Sequence, residues 1–247
     1  MVSLAEEKEI YLELQKRLFY IIPEKWESVY LYASIIDIPR KRPVGEMYFY
    51  YFPKGIIKKK PVNCYEIPSA FNIDDDEYTK LITDLYNLIK KLRQIWITKK
   101  NKRWSNLTIS IENFQFKVEY DYEDLKKSPF DSYERHVIWR YNFLKPDLNL
   151  LGKKEQKIID KYMQYISQIQ LPKKDVYIEG MYTQPVNNIV DFEKTLSVEE
   201  AIAQSSREEP KEKKKHHLLR KKPIIDDVIE IEDDDLINNQ ILNWKKK

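Results

Sequence analysis

Leu107-Thr108-Ile109-Ser110-Ile111-Glu112-Asn113-Phe114-Gln115-Phe116-Lys117-Val118-Glu119-Tyr120-Asp121-Tyr122 is the stretch from which the fold is read. Leu107, Ile109 and Ile111 alternate with polar neighbours, and beyond Asn113 so do Phe114, Phe116, Val118, Tyr120 and Tyr122. A period of two marks strands, because successive side chains point to opposite faces. A two-residue turn at Glu112-Asn113 pairs Ile111 with Phe114, Ile109 with Phe116 and Leu107 with Val118. The same register pairs Thr108 with Lys117 and Asn106 with Glu119 on the other face. A slip of one residue would mix the faces, so the hairpin is well specified. One face is expected to be core and the other to look to solvent or a partner.

Outward from the hairpin, the pattern changes to helical spacing. Tyr78, Leu81, Ile82, Leu85, Leu88, Ile89, Leu92 and Trp96 form an apolar stripe. Asp74, Asp75, Asp76 and Glu77 stand at its start and Lys90, Lys91, Arg93, Lys99 and Lys100 toward its end, matching the helix dipole. Further upstream, Val29–Ile36 and Met47–Phe52 are rich in aromatic and β-branched residues, with Pro39, Pro43 and Gly45 between them. Both read as strands, and their tyrosines suggest faces that are half apolar and half wet. Ser3-Leu4-Ala5-Glu6 reads as a capping box ahead of Ile10, Tyr11, Leu14, Leu18 and Ile22, and Pro23 stops that helix.

Downstream, Asp131-Ser132-Tyr133-Glu134 caps a short helix, although Val137–Leu144 reads equally well as extended chain. A last helix is expected from Lys153 to Ile169, with Ile158, Ile159, Tyr162, Ile166 and Ile169 inward and Pro172 ending it. The whole is an α+β fold: an antiparallel sheet of about four strands packed with N-terminal, central and C-terminal helices. Residues 1–171 are expected to form the domain and residues 172–247 a charged, low-order extension. That extension carries a basic block, Lys211–Lys222, and an acidic one, Asp226–Asp235.

Composition excludes much chemistry. Four glycines, no two close, rule out the Gly-rich phosphate loops of dinucleotide- and P-loop folds. One cysteine, Cys64, rules out an internal disulfide and any multi-cysteine metal site. The charged N-terminus and the lack of a long apolar run point to a cytoplasmic protein with no membrane association.

Of three histidines, His216 and His217 read as solvated linker and His136 as a structural side chain. A Cys64–His136 pair in space would be needed for nucleophilic chemistry. No metal site and no cofactor is expected, and Asp74–Glu77 is explained by helix capping. Asp121, Glu123 and Asp124 are less fully explained by structure. Basic loops at Lys54–Lys60 and Lys99–Arg103 carry a domain excess of only +5 over residues 1–171, so direct nucleic-acid binding is not expected.

The ordered set Ile22–Ala33, Glu46–Tyr51, Trp104–Thr108, Phe116–Leu125 and Val137–Tyr141 resembles the YezG-type immunity (antitoxin) family over about residues 5–168. The resemblance implies a non-catalytic α+β protein that binds and neutralises the nuclease domain of an LXG toxin, secreted by the type VII system, inside the producing cell. On that reading Asp74, Asp75, Asp76, Glu77, Asp121, Glu123 and Asp124 are candidate partner contacts, since nuclease surfaces are cationic. The basic loop at Lys54–Lys60 and the extension after residue 171 depart from the family pattern. Two rival readings are an adaptor acting through Ile224–Asp235, a β-prone run bordered by acids, and a weak nucleic-acid binder.

Overall fold

The computed structural model describes residues 2–55, 60–169 and 174–180. Lys58, Lys59, Pro172, His216, His217, Trp244 and the charged blocks after residue 204 lie outside the described residues. Elements run α1 Val2–Ile21, β1 Trp26–Ser34, β2 Met47–Pro53, β3 Val62–Asn63, α2 Ile67–Phe71 and α3 Asp75–Lys100. They continue with β4 Asn106–Glu112, β5 Gln115–Asp121, α4 Ser132–Leu144, α5 Lys153–Gln168 and β6 Asp175–Gly180.

The fold is α+β, and among the described residues its antiparallel sheet has six strands in the order β3-β2-β1-β4-β5-β6. Four were expected. β3 is two residues long, too short to show alternation. β6 inverts the usual pattern, with Val176 and Ile178 exposed and Tyr177 turned inward, and it lies beyond the boundary expected at Pro172.

Two helices cover one face. Tyr11, Leu14 and Leu18 of α1 and Leu85, Ile89 and Leu92 of α3 are buried with Leu31, Phe49, Ile109 and Val118. The expected half-wet face of β1 and β2 is largely covered: Tyr32, Tyr48 and Tyr50 are buried, while Tyr30 and Phe52 stay half-buried. α4 lies across it, with Trp139 edge-on to Tyr48 at 5.1 Å and donating its ring N–H to Thr108 Oγ1 at 3.0 Å. Nothing in the strands themselves announces that second cover.

Caps decide where the helices start. Asp74 Oδ1 accepts from the backbone N–H of Asp76 and Glu77, both at 3.0 Å, an arrangement worth ~1 kcal/mol. Asp131 and Glu134 close a full capping box, and this commits Val137–Leu144 to helix rather than strand. At the N-terminus the backbone of Ser3 already lies inside α1, so it is not the residue preceding the helix. α5 packs on α4 through Ile158 and Ile159, with Tyr162 half-buried beside them and Tyr165 edge-on to Phe130, whereas Ile169, just past the helix, is exposed.

The hairpin register differs from the expected one by two residues. Glu112 pairs with Gln115, Ile111 with Phe116, Ile109 with Val118, Thr108 with Glu119 and Asn106 with Asp121. The turn is Asn113-Phe114, both left-handed, with φ of 50° and 59°. Asparagine belongs at the first position of such a turn, and Glu112 is held extended because its carboxylate accepts the Tyr30 hydroxyl at 2.7 Å. A shift of two keeps each side chain on its face, so the division into faces survives.

Candidate partner-binding surface

The expected contact carboxylates fall into two groups that the structure keeps apart. Asp74, Asp75, Asp76 and Glu77 sit at the first turn of α3, and Asp121, Glu123 and Asp124 follow the far end of β5. Trp96, in the last turns of α3, stacks near Tyr120 with centroids 4.1 Å apart. About 22 residues of helix, from Asp74 to Trp96, therefore separate the groups, roughly 33 Å at 1.5 Å per residue.

Several of these acids already have structural work. Asp74 caps α3. Asp121 accepts from the Glu123 backbone N–H at 3.1 Å and pairs with Lys174 at 3.1 Å. Asp124 accepts from the backbone N–H of Lys126 at 3.2 Å and lies 3.4 Å from Lys127. Among the described residues, no ion pair engages the exposed carboxylates of Asp76, Glu77 and Glu123.

The basic patch after α3 is likewise consumed internally. Lys100 pairs with Glu7 at 2.7 Å, Lys102 with Asp175 at 2.6 Å and Arg103 with Asp37 at 3.1 Å. Asp37 is gripped most firmly by the buried Arg93, whose two terminal nitrogens lie 3.1 and 2.6 Å from its oxygens. Those bonds hold its carboxyl below the usual range. With three of its four cations set against carboxylates, and Asp37 shared between Arg93 and Arg103, the patch offers a weakened field to a phosphate backbone.

Cys64 and His136, the pair that nucleophilic chemistry would need, are both buried. Burial pushes the thiol up to about 12, so it stays protonated at neutral pH. The His136 ring is held down to about 3 by burial and the nearby Arg140, and its Nε2 lies 3.0 Å from the Tyr50 hydroxyl. Asn63 donates to that same hydroxyl at 3.0 Å. Tyr50 thus stands between Asn63 at the end of β3, next to the thiol, and the helix carrying the imidazole. The arrangement fastens α4 to the sheet. Among the described residues no cluster of His, Cys, Asp and Glu has the makings of a metal site, and no helix is long and apolar enough to cross a membrane.

Sequence reasoning missed the opposite end of the sheet. There a cleft of about 340 Å³ opens between the start of β1, the ends of β2 and β4 and the C-terminus of α4. Tyr30, Phe52 and Phe143 give it an aromatic lining, Glu27 and Glu112 two exposed carboxylates, and Lys145 one cation. Asn113 lies on its rim, and the next residue, Phe114, is 82% exposed. Phe114 counted as core in the alternation, and only the turn's true position turns it outward.

Comparison with known proteins adds the following. The family described as "Immunity protein YezG-like" matches residues 8–158. Immunity protein YezG of Bacillus spizizenii is 30% identical over 148 residues, 60% of this chain and 85% of that protein. Immunity protein YezG of Bacillus subtilis is 29% identical over 138 residues, 56% of this chain and 87% of its own length. The type VII secretion system protein EsaG of Staphylococcus aureus is 29% identical over 171 residues, 67% of this chain and 98% of that protein.

Proposed function

The chain belongs to the YezG-like immunity protein family, and from that premise we propose that it is a non-catalytic immunity protein that binds a cognate LXG-type, type VII-secreted nuclease toxin and blocks its toxin domain in the cytoplasm. The observation that carries this reading is the extent of the likeness. Relatives named for immunity and for type VII secretion align over 85% to 98% of their own lengths. The internal chemistry is consistent with a binding role: the buried thiol is protonated and the buried imidazole is neutral and bonded to Tyr50.

Inhibition by binding needs electrostatic complementarity more than reactive groups. A nuclease presents cationic side chains to its substrate, and exposed carboxylates compete for them. Asp76, Glu77 and Glu123, at the two ends of α3, suit long-range attraction because no ion pair among the described residues engages them. Asp74, Asp75, Asp121 and Asp124 add to the same negative field while serving the fold or pairing locally.

The test is co-expression with the C-terminal domain of the LXG protein encoded beside this gene. Cells should survive, and the two proteins should co-elute as a stoichiometric complex. Absence of both protection and complex overturns the proposal.

A further inference from the structure

Phe114 is an expensive residue in its position. A left-handed turn site of this kind is the usual place of glycine, and a β-carbon there costs ~1 kcal/mol or more. Its ring, 82% exposed, returns almost no burial to the fold. Both costs fall on one residue at the tip of the best-specified hairpin in the molecule. Strained backbone of this sort concentrates where a protein presents something to a partner. Lys145, at the end of α4, is also left-handed, with φ of 48°. Asn113 and Lys145 both line the cleft, and Phe114 directly follows Asn113 in the chain.

The cleft beside the ring is not a generic apolar hollow. Tyr30 lies edge-on to Phe52 with centroids 6.2 Å apart at 83°. The Tyr30 hydroxyl holds Glu112 at 2.7 Å, so this carboxylate is fixed at the cleft wall and still exposed. Glu27 supplies a second carboxylate against the single Lys145. Aromatic walls with a net negative rim suit an arginine or lysine, which packs its stem on rings and delivers its charge to a carboxylate.

We infer that the Asn113-Phe114 hairpin tip and the adjoining cleft are the anchoring site for the toxin domain. Phe114 enters an apolar pocket on the toxin, and the cleft takes a cationic side chain from the toxin surface. This inference rests on the toxin-binding reading above and names the surface through which it works.

The experiment uses the full chain and the co-encoded toxin domain, with affinity and dissociation rate measured for wild type, Phe114→Gly and Glu112→Lys. Glycine suits the turn, so Phe114→Gly should keep or raise the melting temperature while weakening the complex. A loss on the order of tenfold or more, carried by faster dissociation, is the size expected for a buried aromatic anchor. Glu112→Lys should weaken it comparably. Unchanged affinity for both variants, with wild type binding normally, overturns the anchoring site and leaves the toxin-binding reading intact. No binding by wild type overturns both. A dimer of this chain that Phe114→Gly disperses without affecting toxin binding assigns the cleft to a second copy and overturns the inference.

Discussion

The hydroxyls of Tyr11 and Tyr120 meet at 2.6 Å across 109 residues of sequence, joining the first helix to the sheet. The Tyr11 hydroxyl donates its hydrogen bond to Glu7 Oε1 at 2.6 Å, so Tyr120 is the donor between the two. The buried Glu7 also accepts from the Trp96 ring N–H and from Lys100, each at 2.8 Å. One carboxylate thereby ties α1 to α3. Glu7→Ala leaves three donors without their acceptor and should cost roughly 3–5 kcal/mol in urea unfolding. Tyr120→Phe, which removes one neutral bond, should cost about 1 kcal/mol. Equal costs would show that the carboxylate is not the centre of the network.

Gly45 is fixed by space. A β-carbon there would stand 2.0 Å from the Ser34 carbonyl oxygen and 2.1 Å from the Tyr86 hydroxyl, which itself donates to that carbonyl at 2.9 Å. Gly45→Ala should destabilise by ~2–3 kcal/mol, since a backbone oxygen must move. Gly180→Ala, where nothing lies within 4 Å, should be neutral or slightly stabilising by thermal melting.

His136 predicts a pH dependence whose sign is fixed. Its folded pKa, about 3, lies below the ordinary 6.5. The unfolded chain therefore binds the extra proton as pH falls from about 6.5 toward 3. Stability is fully present above about 6.5 and lost below it, at up to ~1.4 kcal/mol per pH unit from this group. Chemical unfolding across that window should show a shallower slope for His136→Gln than for wild type. Parallel slopes would mean that the imidazole is not buried as neutral.

Tyr177 secures the last strand by stacking on Tyr11, centroids 4.0 Å apart. Tyr177→Ala should cost ~2 kcal/mol. Hydrogen exchange should quicken at the β5 amides facing β6 and stay slow at those facing β4.

Charge reversal at Glu77 or Glu123 should slow association with the toxin domain severalfold and flatten its salt dependence, with little change in dissociation. Surface plasmon resonance at two ionic strengths reads both effects. An effect confined to dissociation would place these carboxylates in direct, desolvated contact.

Much of the architecture was legible because short-range chemistry dictates it. The β4–β5 alternation, the Asp74 cap and the stripe from Tyr78 to Trp96 each follow from local spacing. The register of the hairpin was not, because Tyr30, 82 residues away, holds Glu112 extended. β6 escaped because its apolar residues point outward, so alternation looked like polarity. The acids of the proposed contact were visible, but their separation by the length of α3 needed the fold. Phe114 read as core until the turn was placed one residue later.

β6 returns along β5 so that Gly180 lies opposite Gln115, the residue immediately after Phe114. β6 thus ends at the hairpin-tip end of the sheet, beside the residues proposed above as the anchoring site, so a partner docked there would also meet the end of this edge strand.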